Sequence, residues 1–166
     1  MVGDNNVTLS LVDVNGNNSS CIAVVTVVDI TPATALCQDL TIELSNGGYA
    51  FITEEEVDNG SNDACGVQSL ALSQTAYLCE HLGTNTVTLT VTDVNGNEST
   101  CDASITVEDN ILPVALCHNL VLQLDETGAA SITPADIDNG SSDNCGFTLS
   151  LSDENYGCHR YAGQIW

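Results

Sequence analysis

The chain has 166 residues and almost no basic side chains: Arg160 alone faces 23 acids, for a formal net charge of −22. Phosphate binding needs Lys and Arg to displace counterions, so nucleic acid is excluded as a partner, and an anionic membrane surface is disfavoured for the same reason. No apolar run approaches the ~20 residues of a membrane-spanning helix, so no membrane insertion is expected. No basic n-region and apolar h-region open the chain as in a signal peptide.

The first element in chain order is a hairpin. VTLSLVDVNGNNSSC (7–21) alternates apolar and polar residues up to DVNGN, where Asn-Gly is a strong hairpin signal. IAVVTVV (22–28) continues the second arm. CQDLTIEL (37–44) reads as a strand ending near the SNGG turn. TEEEVDNG (53–60) has a Thr cap, an acid three residues later and a closing Gly, which predicts one short helical turn. VQSLALS (67–73) is a further strand. TVTLTVTD (86–93) and CDASITV (101–107) then alternate on either side of a second DVNGN.

This second hairpin repeats the first. Residues 5–66 and 85–146 are identical at 31 of 62 positions, a tandem repeat with a period of 80. Cys21, Cys37 and Cys65 fall on Cys101, Cys117 and Cys145, and Cys79 falls one residue from Cys158, which implies a single deletion. TPADIDNG (133–140) repeats the helical turn with Pro134 at its first position. About 80 residues with this strand content suits a complete small β-domain. The expected fold is therefore all-β, built of tandem Ig-like antiparallel β-sandwich repeats. The phase of the repeat divides the chain into 1–29, the last two strands of an incomplete repeat; 30–109, a complete repeat; and 110–166, the front of a repeat without its closing hairpin. Trp166 aligns with Val87, where that hairpin starts.

PVALCHNLVLQL, DIDNGSSDNCG and VTLTVTDVNGNESTC together resemble the hyaline-repeat (HYR) and related Ig-like domains, most closely the tandem copies in very large secreted surface proteins of Bacteroidetes-type bacteria. The likeness covers essentially the whole chain, although GCHRYAGQIW departs from the pattern after Cys158. It implies an extracellular or cell-surface, non-enzymatic, adhesive or structural role.

Eight cysteines allow 105 connectivities. Cys65 and Cys79 lie 14 residues apart around an expected strand pair, and Cys145 and Cys158 repeat the arrangement, so both are expected disulfides. In an Ig-like sandwich the strands opened by Cys37 and Cys101 can run side by side, which makes these a third pair. Cys21 and Cys117 then lack partners and are expected to join neighbouring subunits. The alternative is Cys21–Cys37 with Cys101–Cys117. It satisfies every cysteine internally but needs the strand from Cys101, which runs ~20 Å away, to turn back.

The acids recur in three places: Asp13 and Asn15 in the first DVNGN and Asp93, Asn95 and Asn97 in the second; Asp58, Asp63, Asp138 and Asp143 in the DNG loops; and Asp29, Glu108 and Asp109 at the junctions. Oxygen-rich loops with no Lys beside them suit Ca2+, although Asp-x-Asn-Gly is also ordinary turn chemistry. A zinc site is not expected, because the Cys/His spacing fits no zinc pattern. Nor is an enzyme, since no Ser/His/Asp order or phosphate loop occurs.

The leading functional expectation is a subunit or segment of an extracellular fibre. It would polymerise head to tail with itself by strand complementation, with an inter-subunit disulfide. The alternative is an Ig-like stalk or adhesin module binding a glycan or another cell-surface ligand, for which the chain lacks a cluster of aromatic residues.

Overall fold

The computed structural model describes residues 2–158. With 46% strand and 6% helix in several sheets, the chain is all-β. The strands are β1 (Gly3–Val12), β2 (Asn18–Val27), β3 (Leu40–Glu43), β4 (Tyr49–Phe51), β5 (Val67–Leu72), β6 (Ala76–Leu78), β7 (Gly83–Asp93), β8 (Glu98–Glu108), β9 (Ala129–Ser131) and β10 (Asn155–Gly157). Among the described residues no helix is long and apolar enough to cross a membrane.

β1 and β2 form a two-stranded sheet of their own, with Val7 opposite Ala23 and Leu9 opposite Cys21. β7 and β8 lie at the centre of a four-stranded sheet ordered β3-β8-β7-β5. β4 pairs with β6, and β9 with β10. Both DVNGN segments close the same way. The Gly16 and Gly96 N–H groups bond to the Asp13 and Asp93 carbonyls, and each glycine has φ +86°. The Asn residues before them keep negative φ, so these are not the two-residue primed turns that Asn-Gly suggests. They are turns finished by a left-handed glycine, the bulged form that also matches strand twist.

The helical turn occurs in both copies: α1 (Glu54–Val57) in the first, and a 3-10 turn at Pro134–Asp136 in the second. The Thr53 N–H bonds to Glu56 Oε2 at 2.8 Å, and the Thr133 N–H to Asp136 Oδ2 at 2.7 Å. Each satisfies a donor that a helix start leaves unpaired.

The chain divides into two compact units, Met1–Leu40 with Ile52–Thr75 and Thr84–Thr106, and Thr41–Phe51 with Ala76–Gly83 and Val107–Trp166. These cut across the boundaries 1–29, 30–109 and 110–166 read from the repeat. In the first unit Val57 at the end of α1 is fully buried, and so are Val87, Leu89, Val91 and Ile105, because alternation puts every second residue of β7 and β8 on one face. In the second unit the buried apolar side chains among the described residues are Leu44, Tyr77 and Val107.

The second copy departs from its pattern in two places. Residues 120–123 and 146–151, the counterparts of β3 and β5, form no strand. In the first copy those strands are the outer members of the four-stranded sheet, bonded to β8 and β7. Without such a ladder, extended backbone has nothing to pair with. The end of the expected third segment, with Trp166, lies outside the described residues.

Candidate functional site

Cys37 and Cys101 are joined, with Cα atoms 5.9 Å apart. The second disulfide links Cys79 to Cys145, Cα atoms 5.2 Å apart. This corrects the expected pairs Cys65–Cys79 and Cys145–Cys158. Cys79 begins a 3-10 turn, and its Sγ lies 3.3 Å from the Asn144 carbonyl oxygen and 3.7 Å from that of Gly48. Gly48 makes this approach possible: a Cβ there would stand 2.8 Å from the Asn144 oxygen and 2.9 Å from the sulfur, at φ +74°. Short spacing favoured Cys65, but proximity along the chain does not bring side chains together across strands. Neither Cys21–Cys37 nor Cys101–Cys117 forms. Cys21, Cys65, Cys117 and Cys158 are free and exposed. Two disulfides fit an oxidising compartment.

Most acids in the candidate cation loops are occupied by the loops themselves. Asp93 is fully buried and accepts bonds from the Asn95 N–H, the Asn97 N–H and Asn97 Nδ2, at 2.8, 2.9 and 2.7 Å. Burial pushes its carboxyl up, but the bonds from Asn97, Asn95 and Gly96 outweigh this and hold it below the ordinary carboxylate range. Asp13 makes the same turn in the open, and its carboxyl is lowered first by the Asn17 side chain. Asp58 and Asp138 each accept from two loop N–H groups, Gly60 and Ser61 in one copy and Gly140 and Ser141 in the other. Asp143 accepts from the Cys145 N–H. Asp109 accepts from the Ile111 N–H and from Asn144 Nδ2, while Glu108 accepts from Asn110 Nδ2.

Two carboxylates do converge. Asp29, Asp63 and the Cys65 thiol present ligand atoms within 4.8 Å of one another. Asp29 also receives Asn95 Nδ2 at 3.0 Å, which ties the segment before Ile30 to the second DVNGN turn. Two carboxylate groups fall short of the six to eight oxygens of a tight calcium site, and a thiol is too soft to help. An ion there would keep most of its ligands as water.

The more distinctive feature is a mismatch between the two copies. Val87, Leu89 and Val91 have no exposure, whereas their counterparts Val7, Leu9 and Leu11 are 50, 68 and 68% exposed. On β2, Val25 and Val27 are open where Ile105 and Val107 are buried. The second unit shows the reverse half. Leu124 and Tyr156, counterparts of the buried Leu44 and Tyr77, are exposed, and Ile132 and Ile137 are half-buried where Ile52 and Val57 are buried. Leu120, Leu122, Leu124, Ile132, Ile137 and Tyr156, with His118 and Asn119, line an open groove of about 430 Å³, part apolar and part polar. A smaller groove of about 170 Å³ runs beside Leu116, Ile137, Leu149 and Leu151, with Cys117 at its wall. One copy thus has strands without a core, and the other a core without strands. No protein-family model matches the chain, and no curated protein matches it.

Proposed function

We propose that the chain is a structural, non-catalytic subunit or segment of an extracellular fibre, of the HYR-like, Ig-like sandwich class that its sequence resembles. Copies join head to tail. The β1–β2 hairpin of one copy enters the open face of the preceding copy's second unit, between residues 120–123 and 146–151. The resulting sheet reproduces the order β3-β8-β7-β5 of the complete repeat. Cys21 of the incoming hairpin then meets Cys117, as Cys101 meets Cys37 within the chain.

The observation that supports this is the burial mismatch between identical or similar residues one period apart. An isolated hairpin with apolar residues open on its faces is marginal in water, and a large exposed apolar patch is uncommon on a monomer. Val7, Leu9, Leu11, Val25, Val27, Leu122, Leu124 and Tyr156 each keep between 37 and 68% exposure. Burying the remainder gains roughly 1 kcal/mol per residue, on the order of 8 kcal/mol before association costs. The contact is heterologous and does not close on itself, so it propagates as a filament. Calcium belongs to the proposal only at Asp29 and Asp63, where carboxylates converge at a junction. Negative-stain electron microscopy with non-reducing gels tests the reading. Filaments and a ladder that collapses on reduction support it; a monomer at all concentrations overturns it.

A further inference from the structure

We infer that every head-to-tail junction carries a second disulfide, between Cys158 of one copy and Cys65 of the next. This inference rests on the fibre reading and adds a covalent bond that the reading does not require.

The Cys79–Cys145 bond supplies the template, since it joins positions in successive periods. Cys158 occupies the place of Cys79. β4 and β6 pair Tyr49 with Leu78 and Phe51 with Ala76, and β9 and β10 pair Ala129 with Gly157 and Ser131 with Asn155, the same ladder one period on. Gly128 repeats Gly48, with φ +77° against +74°. A Cβ on Gly128 would lie 3.2 Å from Cys158 Sγ, where one on Gly48 lies 2.9 Å from Cys79 Sγ. The sulfur sits over the same bare glycine in both copies.

Cys65 occupies the place of Cys145. The Cys65 N–H bonds to Asp63 at 2.6 Å and the Cys145 N–H to Asp143 at 2.9 Å. The preceding residues are held by equivalent bridges, Thr34 to Asn62 and Val114 to Ser142. Cys65 and Cys158 are both exposed thiols.

The two junction bonds agree with a single placement. Carrying a copy forward by two 80-residue periods sets Cys21 64 positions beyond Cys117, the separation of Cys37 from Cys101. The same shift sets Cys65 67 positions beyond Cys158, against 66 for Cys79 and Cys145; the extra position is the deletion before Cys158. All four free cysteines are then used, two at the head and two at the tail. One difference makes the bond more consequential between copies than within one. Asn144 donates to Asp109 at 3.1 Å and to the Ser45 carbonyl at 3.4 Å, whereas Ala64, before Cys65, has no such group.

Bond formation is a two-electron oxidation. The Cys158 and Cys65 thiols lose two protons and two electrons, an S–S bond forms, and a small disulfide such as oxidised glutathione accepts both and leaves as two thiols. Asp29 faces Cys65, accepts its S–H and raises its pKa.

The test uses two complementary full-length variants in a glutathione redox buffer. Cys21→Ser/Cys65→Ser lacks the head thiols, and Cys117→Ser/Cys158→Ser lacks the tail thiols. Alone, each retains its two internal disulfides as a check on folding and forms no covalent oligomer. Mixed, they are expected to give a covalent heterodimer whose intact mass shows no thiol left to alkylate, with a Cys65–Cys158 peptide on non-reducing digestion. A heterodimer joined only through Cys21–Cys117, with Cys65 and Cys158 alkylated, overturns the second bond and leaves the fibre reading standing. No heterodimer, with four alkylated thiols, overturns both. Mapping the same peptides from assembled wild-type chain guards against a serine variant that folds poorly.

Discussion

Leu9 and Leu89 occupy the same position in successive hairpins, one 68% exposed and the other fully buried. Replacing each by Ala separates the roles of the two copies. Leu89→Ala removes a core side chain and leaves a cavity, at a cost of about 2–5 kcal/mol in the stability of the isolated chain. Full burial of a Leu is worth about 1.5–3 kcal/mol, and Leu9 has realised only about a third of it, so Leu9→Ala costs under about 1 kcal/mol in the monomer. In the proposed fibre Leu9 becomes the equivalent of Leu89. The remaining cost, between about 2 and 4 kcal/mol, then falls on association and weakens it by roughly thirty-fold to a thousand-fold. Denaturant melts of dilute monomer with its two internal disulfides intact give the first pair of values, and critical concentration for assembly, measured by sedimentation, gives the second. If Leu9→Ala destabilises the monomer as much as Leu89→Ala, or leaves assembly unchanged, the hairpin is not waiting for a core.

Asp93→Asn is expected to lower the thermal midpoint, since the new amide turns a donor toward Asn97 Nδ2 in a buried turn, while Asp13→Asn in the exposed copy changes the monomer little. Because the folded Asp93 carboxyl is lowered, its contribution is complete above the ordinary Asp value near 4 and fades as pH falls below it; the gap between wild type and Asp93→Asn should be constant from pH 7 to about 5 and narrow below about 4. Gly48→Ala should destabilise the chain and lower the yield of Cys79–Cys145 on oxidative refolding, as a Cβ meets backbone at 2.8 Å in a left-handed conformation; a wild-type melt would refute this. Calcium at millimolar levels should raise the melting midpoint, and neither chelated protein nor an Asp29→Asn/Asp63→Asn variant should show the gain; an unchanged midpoint removes calcium from the account.

The local chemistry was largely legible. Alternation marks β7 and β8, the Thr-to-acid spacing marks both helical turns, and the 80-residue shift pairs the matching cysteines. What escaped depends on partners distant in sequence. LVLQ (120–123) has the composition of β3 yet forms no strand, because strand character in a sheet is conferred by a neighbour's backbone as much as by side chains. Cys79 takes Cys145 over the much nearer Cys65 because the bare Gly48 lets the two segments close. The repeat did contain the necessary signal, since Gly48 and Gly128 each precede their cysteine by about 30 residues. Asp-x-Asn-Gly carried two meanings, and the donors around Asp93 show the turn at work.

Hydrogen exchange tests strand complementation most directly, because it reads the backbone bonds themselves. On assembly, amides in β1 and β2 and in residues 120–123 and 146–151 should gain protection together and approach that of β7 and β8. Assembled material in which 120–123 and 146–151 exchange as fast as in the monomer would contradict the account, whatever the disulfides do.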